Sequence, residues 1–174
     1  DGPDADFDKL RRIILGAISV ARERICIATP YFLPDPDIVA ALDVAALRGV
    51  QVDVLLPAKS NLILVQWAMT HGLWRILDCG CDVWLSPAPF DHTKLMIVDG
   101  RWALVGSGNW DPRSLRLNFE LNVELHDTTL AATLTDLFEA KRATATQLTR
   151  SQLASAPLWA RVRDGFAALG TPYL

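Results

Sequence analysis

Three short apolar runs constrain this chain more than any other feature. RICIAT (24–29), VQVDVLL (50–56) and DVWL (82–85) are each separated from the next by one stretch of helical character. Ile25 and Ile27 alternate with small or polar neighbours and Pro30 ends the run, which is the pattern of a strand. The first intervening helix is expected over 38–48, capped by Asp35 or Asp37 and closed by Gly49. The second is expected from a cap at Ser60 or Asn61 to about Asp78, with Gly80 as its stop. Strand, helix, strand, repeated, implies parallel pairing with helices laid on the sheet faces. Ahead of the first strand, Phe7, Leu10, Ile13, Ile14, Ala17 and Ile18 share one face of a helix over 6–22.

Downstream the pattern changes. Asp99-Gly100 stands between two apolar runs, 93–98 and 102–105, and this dipeptide is a strong hairpin signal. A further strand is expected over 118–125, where Phe119, Leu121, Val123 and Leu125 alternate. An amphipathic helix is expected over 128–148, and after Pro157 one short helix and a loose end. The expected fold is α/β: a mixed, mostly parallel sheet flanked by helices on both faces. At 174 residues the chain suits a single domain over 1–174, with 151–174 as a C-terminal extension.

Composition narrows the function classes. Hydrophobic residues at 51% and charged residues at 21% exclude a wholly disordered chain. The net charge of −3 lacks the basic excess that nucleic acid binding usually needs, so nucleic acid is not the expected partner. No apolar run approaches the ~18 residues of a transmembrane helix. The richest stretch, 61–74, is broken by Gln66, Thr70, His71 and Gly72. Cys26, Cys79 and Cys81 are too few for a disulfide framework and are expected to be reduced thiols. The chain starts at Asp1 with an acidic, polar segment, so it reads as an excised piece of something longer.

The chemistry lies in FDHTKLMIVDGRWALVGSGNWDPRSLRLNFELNVE. His92 and Lys94 sit two apart at the start of a strand, which puts them on one face. An imidazole beside an ammonium suits a phosphate: one group attacks or moves a proton, the other neutralises non-bridging oxygens. The Gly106-Ser107-Gly108-Asn109 turn offers backbone N–H groups, a hydroxyl and an amide to the same anion, and the hairpin returns it to the end where His92 starts. Glu120 is a carboxylate in an apolar strand and needs a partner; a histidine whose tautomer must be held is a natural one. Singly, each of these residues has an ordinary explanation as surface or turn. Together they share one end of the sheet. His71 and His126 read as surface histidines with no special role.

His92-x-Lys94-x4-Asp99-x6-Gly106-Ser107-x-Asn109 resembles the HKD signature of the phospholipase D superfamily in every spacing. NWDPRSLRLNFELN, ATPYFLPD, VAALRGVQVDVLLP and the opening GPD are similar to the second half of bacterial phospholipase D-type cardiolipin synthases. The resemblance runs from about Gly2 to Asp127. Asp91 and Gly108 depart from the usual pattern of that branch, and Asp91 could perturb His92 or line the substrate entrance.

The resemblance implies a phosphatidyltransferase working through a phosphohistidine. It makes His92 the nucleophile or the acid/base, Lys94 and Asn109 phosphate ligands, Ser107 an accessory ligand and Glu120 the group that holds the histidine ring. No metal and no cofactor are implied. Asp99 belongs to the motif, but it lies about five strand residues, at roughly 3.3 Å each, from Lys94 and is expected to be structural. Arg113 and Arg116 are candidate contacts to a lipid phosphate or merely solvated. Tyr31, Phe32 and Leu33 are expected to meet a lipid chain or to plug the core. In-line displacement needs a base and an acid on opposite sides of phosphorus, so one motif is half a site. The partner is then a second motif in the parent chain or a homodimer mate. The implied substrate is a phosphatidylglycerol-like phospholipid. The implied parent is membrane-associated on the cytoplasmic side of the inner membrane, while this piece alone is expected to be soluble. The alternative is a homodimeric phosphodiesterase hydrolysing phospholipid or nucleic acid.

Overall fold

The computed structural model describes residues 8–171. The GPD opening lies outside the described residues. In chain order the elements are α1 (Lys9–Val20), β1 (Arg24–Ala28), α2 (Pro36–Leu47), β2 (Gln51–Pro57), α3 (Ile63–Asp78) and β3 (Asp82–Ser86). The hairpin follows as β4 (Leu95–Val98) and β5 (Trp102–Gly106). Then come α4 (Pro112–Arg116), β6 (Asn122–Leu125), α5 (Thr128–Ala143), β7 (Thr146–Leu148), α6 (Arg150–Ala154) and α7 (Leu158–Leu169).

All seven strands join one sheet in the order β6-β5-β4-β1-β2-β3-β7. The mixed sheet with helices on both faces is as expected from the sequence. Its parallel share is smaller: β1–β2 and β2–β3 are parallel, and the other four pairings are antiparallel. The hairpin inserts β4 beside β1, and each later strand joins an outer edge in the reverse sense.

The period of two in β1 shows how the sheet is covered. Ile25 and Ile27 join the larger core with Ile14, Ile18 and Leu42 from α1 and α2. Cys26 and Ala28 face the other way, into a smaller core closed by Phe138 of α5. Phe138 is fully buried. Truncating it to Ala is expected to cost about 3–5 kcal/mol, because α5 has few other deep anchors. Asp53 is buried on the same side and is held by Arg24 (2.6 Å) and the Trp84 indole N–H (2.9 Å). A buried carboxylate needs such partners.

Local corrections have local causes. Asp35 alone caps α2, accepting from Asp37 N and Ile38 N at 3.0 Å, and Pro36 suits the first helical position, so the helix starts two residues earlier than expected. Neither Ser60 nor Asn61 caps α3: Leu62 occupies that position, and Asn61 accepts from the Tyr31 hydroxyl instead (2.6 Å). The helix expected to reach Leu148 stops at Ala143, and Thr146–Leu148 becomes β7 against β3, where an unpaired edge was available. Strand β6 begins only at Asn122, and β4 only at Leu95. The short helix expected after Pro157 is the twelve-residue α7, packed on α3, and the end beyond residue 171 lies outside the described residues.

Candidate active site

The sheet's connectivity gathers one edge. Ala28, ending β1, is paired with Leu95, starting β4. Leu95 is paired with Val105 in β5, and Gly106 with Asn122 in β6. The residues just outside these strands, Tyr31, His92, Lys94, Ser107, Asn109 and Glu120, therefore fall at the same end.

His92 is exposed at the surface, with its ring edge-on to Tyr31 (centroids 6.1 Å) and tilted to Phe90 (5.8 Å). Lys94 is 9% exposed. Its ammonium lies 3.1 Å from His92 Nδ1 and 3.2 Å from Nε2, and donates to the His92 carbonyl at 3.0 Å. The near-equal distances leave the ammonium committed to neither ring nitrogen. Partial burial lowers the His92 pKa from its ordinary 6.5, Lys94 lowers it further, and Asp91 pulls the other way. Burial and Lys94 both favour the neutral imidazole over the imidazolium. Burial also lowers the Lys94 pKa, against Glu120, Asp111 and Asp91.

The small-residue turn after β5 is built by contact. A Cβ at Gly106 would fall on the Leu121 carbonyl and on Asn122, and one at Gly108 on the Leu10 side chain. The Ser107 hydroxyl donates to Glu120 and accepts from Leu121 N at 3.0 Å. Glu120 also accepts from the Asn118 amide at 3.2 Å. The charges of Lys94 and Asp91 both act on His92, in opposite directions. Asn109 Nδ2 donates to the Ser114 hydroxyl (3.2 Å), while its Oδ1 is buried with no hydrogen-bond partner. A buried amide oxygen without a partner is a group with unused valence.

Asp99 is at the opposite end of the hairpin. It sits in the turn with φ 54, and its carboxylate accepts from the backbone N–H groups of Arg22 (2.9 Å), Glu23 (2.8 Å) and Arg24 (2.9 Å). Arg113 is exposed on α4, and Arg116 pairs with Asp8 at 3.3 Å. No described contact brings either arginine to His92. Phe32 and Leu33 are core residues, while half-buried Tyr31 turns to the histidine. Cys26, Cys79 and Cys81 are free thiols, and burial pushes Cys26 and Cys81 up to about 12.

Two residues near the site were not singled out in the sequence. Asp111 caps α4 through Ser114 N (2.9 Å), and burial raises its carboxyl pKa. Its Asp-Pro pair was a readable helix-start signal. Lys141, the other, reaches the His92 loop from α5, and nothing local to it in sequence announces that contact. Among the described residues no helix is long and apolar enough to cross a membrane.

A family model for the cardiolipin synthase, PLD-like domain matches residues 14–142. The major cardiolipin synthase ClsA of Bacillus subtilis is 34% identical over 173 residues, and a cardiolipin synthase of Oceanobacillus iheyensis is 35% identical. Each match covers 99% of this chain but 36% of the relative, so the chain spans about a third of the length of these proteins. Among solved structures, Nuc of Salmonella typhimurium, a phospholipase D family member, aligns with a TM-score of 0.68 at 24% identity over 79% of this chain and 90% of Nuc. Phosphatidylserine synthase of Haemophilus influenzae aligns at 0.79 and 16% identity, over 99% of this chain and 46% of that one. These two likenesses establish the fold.

Proposed function

The chain belongs to the cardiolipin synthase family with a phospholipase D-like domain, and we propose that it is one catalytic half of a phosphatidyltransferase. The observation that carries this reading is the exposed His92 ring laid against the Lys94 ammonium. A phosphodiester fits there. Lys94 and the Asn109 amide N–H are the donors proposed for its non-bridging oxygens. The turn's backbone N–H groups, expected from the sequence to serve the same anion, are instead taken: Gly106 donates to the Lys94 carbonyl (3.4 Å), Ser107 to the Leu121 carbonyl (3.0 Å) and Gly108 to Asn122 Oδ1 (3.3 Å). Ser107 and Glu120 support that turn.

The reaction needs two histidines. A ring nitrogen of one attacks phosphorus, forming a P–N bond as the P–O bond to the leaving alcohol breaks. The second histidine gives that alcohol a proton. It then takes a proton from the incoming alcohol, whose oxygen displaces the first histidine and restores both rings. His92 fills one of these roles, and a second motif fills the other. The surface beside Glu120 suits such a partner: Leu117 is 56%, Phe119 77% and Leu121 76% exposed, an apolar patch at the rim of the site. In a protein of the relatives' length the preceding half covers it; a homodimer mate would do so for the isolated chain.

The proposed substrate is a phosphatidylglycerol-like phospholipid, and the proposed location of the whole protein is the cytoplasmic face of the inner membrane. The test is to incubate the full-length protein with phosphatidylglycerol vesicles. Cardiolipin and glycerol in equal amounts support the transferase. Phosphatidic acid and glycerol would make it a hydrolase, and no product would overturn the reading.

A further inference from the structure

Asp91, His92 and Thr93 lie in the connection between β3 and β4, outside both strands. The contacts divide this segment: Lys94 meets the His92 ring, while Asp91 and Thr93 meet α5. Lys141, in the last turn of α5, donates from Nζ to Asp91 Oδ2 at 2.6 Å and to Thr93 Oγ1 at 2.9 Å. The other Asp91 oxygen, Oδ1, accepts from Thr93 N (3.0 Å) and Thr93 Oγ1 (2.7 Å). Both members of the ion pair are 27% exposed at the side chain, so the pair is better shielded than an ordinary surface pair. The helix is itself fixed, because Phe138, less than one turn back, is fully buried against the sheet. The two neighbours of His92 are thus tied to a rigid element, and His92 is the residue between them.

We propose that Lys141 is a positioning residue for His92, acting through Asp91 and Thr93. Its effect on turnover rests on the reading of His92 as a catalytic histidine; the clamp itself does not. Lys141 does two things. It fixes the backbone that carries the imidazole, where a displacement of about 1 Å can cost up to ~100-fold in rate. It also matches the charge of Asp91. Burial raises the Asp91 pKa, but the bonds from Lys141 and Thr93 outweigh it and hold the carboxylate below its ordinary range. The groups facing His92 are Lys94 and Asp91, with Tyr31 and Phe90 as aromatic walls; Glu120 and Asp111 act on Lys94. Without Lys141, the unmatched Asp91 charge favours the imidazolium.

The test uses K141M, K141R and the double variant D91N/K141M in the full-length protein. His92 is followed by NMR titration, its signal identified by loss in H92A. We expect K141M to raise the His92 midpoint and lower kcat by about 10-fold to 100-fold with KM within about twofold. K141R should restore most of the rate, and D91N/K141M should bring the midpoint back down. An unshifted midpoint in K141M, or a lost rate that K141R does not rescue, would overturn the clamp. If the parent protein shows no transfer, the function proposal fails, and the midpoint alone still decides this one.

Discussion

The two ends of the β4–β5 hairpin both carry residues of the one motif, yet they use their polar groups in opposite ways. At the turn end, Asp99 is saturated: its carboxylate takes the three backbone N–H groups of Arg22, Glu23 and Arg24, where the chain enters β1. At the open end, Lys94 is shared between two ring nitrogens, and Asn109 Nδ2 spends one of its two N–H groups on the Ser114 hydroxyl. A saturated group holds the fold, and a group with spare valence is free to meet a ligand. Membership of a sequence motif therefore does not itself mark a residue as catalytic.

The sharpest break of this contrast is His92→Ala. In the full-length protein it should remove essentially all transfer, a loss of about 10⁵-fold to 10⁶-fold, with the melting temperature unchanged. Product assays and calorimetry on the same samples check both halves of that statement. Asn109→Ala should lower kcat by about 10-fold to 100-fold, since one preorganised donor is lost. The glycine turn offers a finer cut. Gly106→Ala should disrupt the turn and cost about 1–3 kcal/mol, because the added methyl meets the backbone carbonyl of Leu121. Gly108→Ala should cost less, because the obstacle is the end of the Leu10 side chain, which can rotate. Denaturant titrations would rank the two.

At the turn end, Asp99→Ala should cost stability, about 1–2 kcal/mol in view of the turn's access to water, while kcat per folded molecule stays within about twofold. Burial raises the Asp99 pKa, but the N–H groups of Arg24, Glu23 and Arg22 outweigh it and hold the value below the ordinary 3.8. The sign follows. This carboxylate stabilises the fold fully above its unfolded-state pKa, and the contribution disappears as pH falls through the lower folded value. Asp99→Asn should therefore flatten the acid limb of the stability curve. The smallest effect is expected from Lys94→Met on the His92 titration. Removing the ammonium should raise the midpoint only part of the way to the ordinary value, because burial, the larger cause, remains.

Much of this was legible in the chain. His92, Lys94, Ser107, Asn109 and Glu120 could be placed at one end because hairpin geometry and alternation are local rules. The spacing that isolated Asp99 from them was legible in the same way. Ends of elements were less so. β7 was hidden in a helical pattern because an edge strand of three residues draws its reason from β3, far away in sequence. The balance of parallel and antiparallel pairs depended on where the hairpin enters the sheet, which no local pattern records. Lys141 was invisible for the same reason: it is 50 residues from Asp91. Glu120 was expected on the histidine ring, and the hydrogen bonds described for it reach Ser107 and Asn118 across the turn.

The central claim is that the open end of the hairpin is half of an active site. The direct measurement compares phosphatidyl transfer by the 174-residue chain, held strictly monomeric by dilution and checked by light scattering, with transfer by the full-length protein at equal molarity. The account predicts turnover from the full-length protein and none above background from the monomer. Robust turnover from the monomer would contradict it.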